Sequence, residues 1–168
     1  MKLTDLFLGE LEREAALSRR ALERVPEGRN DWKPHEKSMQ LGYLAVLVAT
    51  MPSWIEFMIN QDELDLAKNG GDKQPEMSTT RELLQLLDDS VAKGRTALTN
   101  TTDEHLMKRW RFLVAGRTVD ENLRHIMLRD AVFSHMAHHR GQLTVYLRLN
   151  DAMVPAIYGP SADERVAA

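Results

Sequence analysis

Cysteine is absent from this chain of 168 residues. That excludes disulfides, thiolate metal ligands and a cysteine nucleophile together, and is compatible with a reducing compartment. An excess of positive charge is also missing: the formal net charge is −3, whereas nucleic-acid binders usually carry a basic face. No basic stretch followed by an apolar one opens the chain, and no apolar run approaches membrane-spanning length, so no membrane partner and a cytoplasmic location are expected. Gly-rich phosphate loops, a G-x-S-x-G nucleophile motif, internal repeats and low-complexity tracts are all lacking.

What is present reads as one soluble globular domain. Hydrophobic residues make up 43% and charged residues 28%, and the length suffices for a substantial core. We assign residues 1–160 to a single domain and 161–168 to a flexible tail, since Pro155, Gly159 and Pro160 keep the end extended.

Apolar spacing predicts four long helices. The first, capped by Thr4 or Asp5, runs to about residue 25 on Phe7, Leu8, Leu11, Ala15 and Leu22. The second, capped by Ser38, covers about 39–61 and is kinked by Pro52. A surface loop at 68–75 precedes Thr79-Thr80-Arg81-Glu82, a capping-box signature that opens a third helix running to about residue 99. Gly94 inside it marks a close helix–helix approach. A short turn at 103–106, capped by Thr101 or Thr102, leads into a hairpin around Ala115-Gly116-Arg117, the only strands expected. The fourth helix is expected over about 122–149. The fold class is therefore all-α, a four-helix bundle with a small β-hairpin before the last long helix.

Three of the six histidines cluster in that last helix, within His135-Met136-Ala137-His138-His139-Arg140-Gly141-Gln142. Residues four apart share a helix face, so His135 and His139 can share a divalent metal. The alternative is a pair of buried histidines hydrogen-bonded to Gln142 or Tyr146. Arg140, Tyr146 and Gln142 are candidate substrate or cavity contacts. His138 lies off the face of the pair, and His105 and His125 are expected to be isolated and exposed.

Several stretches together resemble the DinB/YfiT-like family of helical bundles. They are Trp32-Lys33-Pro34-His35-Glu36-Lys37-Ser38, Met51-Pro52-Ser53-Trp54, the H-x-x-x-H-R-G-Q run from His135 to Gln142, and the closing segment from Asn150 to Glu164. The resemblance implies a four-helix bundle that usually dimerises and holds a divalent metal on three histidines. It also implies thiol-dependent transferase or isomerase chemistry, or hydrolysis. Two ligands map onto His135 and His139. The third falls on the second helix at position 47, where this chain has Leu47. The expectation is thus a degenerate site in a homodimer acting on a small molecule, with zinc or nickel bound weakly or not at all. Its alternative is a non-enzymatic dimer that lost the metal and serves as a stress-associated or small-ligand-binding protein.

Overall fold

The computed structural model describes residues 2–68 and 75–165. Most of the surface loop expected at 68–75, and the last residues of the tail, lie outside the described residues. The molecule is mostly helical, with one small three-stranded sheet.

Helix α1 spans Leu3–Leu22 and buries Phe7, Leu11, Ala21 and Leu22. Neither Thr4 nor Asp5 caps it, because both already lie inside the helix. The free amides of Leu3 and Thr4 instead donate to the two carboxylate oxygens of Asp103, at 2.9 and 3.0 Å. A helix leaves its first amides unpaired, and here an acid about a hundred residues away accepts from them. The amides of Thr4 and Leu3 hold the Asp103 carboxyl below its ordinary range.

The second helical run is divided at Pro52. Helix α2 (Leu41–Thr50) passes through a 3₁₀ turn at Met51–Ser53 into α3 (Trp54–Asn60). The expected kink therefore takes the form of one tightened turn, and the helix resumes after it. Ser38 is not the cap. The amides of Leu41 and Gly42 instead donate to the carbonyls of Trp32 and Asn30, at 2.8 and 3.0 Å. By length and composition Leu41–Asn60 could cross a membrane, contrary to the expectation of no such run. However, 61% of its most apolar window is buried inside the fold.

Strand β1 (Glu63–Asp65) follows, then helix α4 (Thr80–Thr99), which opens on the expected capping box between Thr79 and Glu82. A Cβ added at Gly94 would lie 2.6 Å from the Pro52 carbonyl oxygen. The glycine is what lets α4 cross the 3₁₀ turn so closely. Thr102 caps the short helix α5 (Asp103–Leu106).

Strands β2 (Arg109–Val114) and β3 (Arg117–Leu123) form the expected hairpin. Its turn residues Ala115 and Gly116 both have positive φ, 50° and 76°, as a two-residue hairpin turn needs. The expectation of a hairpin alone is corrected, because β1 pairs in parallel with β2 and gives the sheet order β1-β2-β3. Buried Asp65 ties it down by accepting from the Gly116 amide at 2.8 Å.

The last helix begins two residues later than expected, since β3 continues to Leu123. Helix α6 (Arg124–Leu128) enters a π-helical segment, Arg129–Ser134, and then α7 (His135–Leu149). Helix α1 packs on α4 and α7, and α2 packs on both α4 and α7. Each side of α7 thus meets a different neighbour. The tail's Asp163 pairs with Arg148, and Glu164 pairs with Arg20 and Arg24.

Candidate functional site

Helix α7 brings the predicted pair together. His135 Nε2 and His139 Nε2 are 2.8 Å apart, with ring centroids separated by 4.6 Å. His139 Nδ1 donates to Gln142 Oε1 at 2.7 Å, and Gln142 Nε2 donates to His138 Nε2 at 3.1 Å. With Gln142 in this orientation His139 keeps a bare Nε2, which accepts from His135 Nε2–H. The four side chains form one hydrogen-bond chain in which donation runs from His135 to buried His139, on to Gln142 and then to exposed His138. Burial pushes the His139 imidazole below its ordinary value. The bond with Gln142 opposes that shift, and His135 and His138 add to it.

The side of the pair that faces α2 is apolar. Leu47, Met51 and Met136 form a small buried cluster with Trp54 packed against it. The Trp54 ring lies 5.7 Å from that of His135. Leu47 is therefore an inward residue of the cluster whose Trp54 neighbours His135, as its position on the stripe requires.

A three-histidine metal centre does not fit these residues. The position from which the third imidazole would reach the pair carries the apolar Leu47. Among the described residues no group of three or more His, Asp or Glu could hold a metal. What remains is a half-site: two nitrogens, a glutamine that orients one of them, and an apolar wall where the third donor would stand.

The other candidates lie elsewhere. Arg140, read as a substrate contact, is 1% exposed and points toward α1. Its Nη1 donates to the Glu14 carbonyl and to Ser18 Oγ, both at 3.0 Å. Its Nη2 donates to Glu14 Oε2 at 2.5 Å and to the Tyr158 hydroxyl. Tyr158 in turn donates to Glu14 Oε2 at 2.7 Å. Burial of that hydroxyl, with the Glu14 bond, raises the Tyr158 pKa. Tyr146 does not reach the histidines. It donates to the Met39 carbonyl at 3.2 Å and meets Trp32 edge-on. Only Gln142 of the three contacts the pair.

Sequence reasoning missed two buried hubs. Glu14 and Ser18 sit on the apolar stripe of α1 between Leu11 and Leu22, and a carboxylate at such a position signals a buried partner. Arg124 gave no comparable signal. It is fully buried and bonds the carbonyls of Met58 and Gln61, the Asp62 carboxylate and His105. His105 is therefore engaged, not isolated: its Nε2 also lies 2.9 Å from the Ile59 carbonyl.

Comparison with known proteins agrees with this architecture. A crystal structure of a DinB-like protein from Bacillus subtilis (YjoA) is similar at TM-score 0.66 and 20% identity, over 95% of this chain and 98% of that one. A DinB-like protein from Bacillus cereus is similar at TM-score 0.67 and 20% identity, over 90% of this chain and 95% of that one. None of the curated proteins matches. The family model for the DinB family matches residues 1–166, so the chain belongs to the DinB family.

Proposed function

We propose that this chain is a four-helix bundle of the DinB type that works as a small-molecule-binding protein and has given up the three-histidine metal centre. The observation that carries the proposal is the apolar cluster of Leu47, Met51 and Met136, with Trp54 against His135, where the pair would need a third donor; no group of three donors occurs among the described residues. A leucine in the position of the third ligand leaves any metal open on the side where an imidazole would close its coordination. The reading keeps a homodimer in the cytoplasm as its setting. It assigns no nucleic-acid partner, given the net charge of −3.

A second reading, a metal-dependent transferase, isomerase or hydrolase, draws on one feature. Gln142 fixes His139 through Nδ1 and leaves Nε2 bare, an outer-shell arrangement that suits a metal-ligating imidazole. Elemental analysis of protein purified without a polyhistidine tag separates the two. The binding reading expects no stoichiometric zinc or nickel after dialysis. One tightly held metal per chain overturns it in favour of the enzyme.

A further inference from the structure

One cavity of the fold lies away from the histidine pair. It lies on the opposite side of the last helix, against α1, with a volume of about 500 Å³, well within the range of small-molecule sites. At about 100° per residue, Ala137, two residues from both His135 and His139, faces about 160° away from each. Leu6, Phe7, Phe133 and Ala137 make an apolar wall, with Phe7 and Phe133 stacked at 5.6 Å. Glu10 and Glu14, one turn apart on α1, supply the acidic side.

Glu14 makes this more than a groove. It is 2% exposed, and its Oε2 accepts from both Arg140 and Tyr158. Its Oε1 has no hydrogen-bond partner among the described residues, yet the side chain lines the cavity. That oxygen is not sealed in, because Trp110 Nε1 is the only fully enclosed side-chain polar atom without a partner among the described residues. Arg140 directs its bonds at Glu14, Ser18 and Tyr158, and Arg129 is paired with Asp130. Glu14 is thus balanced by Arg140 and Arg129 by Asp130, so the floor offers an acceptor oxygen, and Glu10 supplies the remaining negative charge in a wall that also carries His125. The cavity wall also includes part of the π-helical segment Arg129–Ser134, a distortion that recurs at functional sites.

We propose that the cavity between α1 and the last helix binds a small amphipathic ammonium compound, its N–H donating to Glu14 Oε1 and its apolar body lying against Phe7 and Phe133. This rests on the small-molecule-binding reading above and gives it a place and a ligand class. Chemistry selects the class: a carboxylate ligand has no proton to donate to Glu14 Oε1 and would meet Glu10, and a neutral one would forgo the charge-assisted bond.

The test is a set of amide-resolved NMR titrations with hexylammonium, hexanol and hexanoate, carried out in a metal chelator. Hexylammonium should shift amides of α1 and of residues 129–137, and should bind at least about tenfold more tightly than either control. Glu14→Gln should bring hexylammonium down to the affinity of hexanol. If that variant fails to fold, Ala137→Trp decides, by filling the cavity from its rim and abolishing the shifts. Equal binding of all three probes, shifts that map elsewhere, or binding that survives Ala137→Trp overturns the proposal. Elemental analysis tests the histidine pair and these titrations test the cavity, so the two readings fail separately.

Discussion

Leu47→His distinguishes a metal site that has lost one ligand from a site whose space has been filled. Leu47 is 7% exposed and packs on Met51, Met136 and Trp54. Replacing it forfeits about 1.5–3 kcal/mol of burial. Leaving an imidazole there without a partner costs about 1–3 kcal/mol more. The metal-free variant should therefore melt below the natural chain by roughly 5–20 °C, at about 2–4 °C per kcal/mol for a chain of this size. If the new imidazole reaches the pair, zinc has three nitrogens. A concentration about a hundredfold above the dissociation constant then returns about 2.7 kcal/mol, or roughly 5–10 °C. The assay is a pair of thermal melts with and without zinc, for the natural chain, for Leu47→His and for Leu47→His combined with His139→Ala. The reasoning is refuted if zinc moves Leu47→His no further than the natural chain, or if removing His139 leaves the zinc effect intact.

Three further outcomes follow from the packing. Gly94→Ala should destabilise by about 1–3 kcal/mol in a urea titration, although alanine gains about 1 kcal/mol of helix propensity. The added Cβ would meet a backbone carbonyl at 2.6 Å, and a more stable variant would disprove the close crossing. Arg140→Met should cost about 3–5 kcal/mol by stranding the Glu14 carboxylate, and adding Glu14→Leu should restore most of it; a double variant no better than the single one would show the two are uncoupled. His139 is held below its ordinary pKa by burial, so folding favours its neutral form. Its contribution to stability is then complete above about pH 6.5, the unfolded value. It falls as pH drops toward the folded pKa, because the unfolded chain takes up the proton first. Melts across that window should flatten in His139→Gln, and an unchanged slope would assign the dependence to another group.

Much of the helical layout was legible because it rests on local chemistry. The capping box at Thr79, the turn at Ala115-Gly116 and the glycine at 94 each act within a few residues or demand one backbone shape. The failures are long-range. Asp103 caps α1 from a different part of the chain, so no local pattern around Thr4 could show it. Strand β1 is three residues long and owes its existence to β2. β3 is almost wholly exposed, and without apolar alternation its last two residues, Asn122 and Leu123, read as the start of the helix. At the site, the histidine spacing correctly placed two imidazoles on one face, but spacing says nothing of which neighbour each face meets. Arg140 and Tyr146 were assigned to the cavity by proximity in sequence. The structure turns one toward Glu14 and the other toward Met39.

The run from His135 to Gln142 looks like a single signature, yet its residues serve two separate sides of one helix. His135, His139 and Gln142 form the network beside the α2 wall, while Arg140 reaches to α1 and holds Glu14 and Tyr158. Gly141 joins neither, since a Cβ there would meet nothing within 4 Å. The two sides answer to different physics. The histidine network needs a third donor to become a metal centre, and Leu47 withholds it. The Arg140–Glu14 pair needs only burial and complementary charge, and both are intact. The identity of residue 47 therefore leaves the α1 side untouched, together with the cavity whose floor it forms. A chain with a degenerate H-x-x-x-H half-site can thus keep Arg140 in its structural role. The arginine beside the histidines is accordingly weak evidence for a bound metal, because its bonds are those that lock α1 and the last helix together.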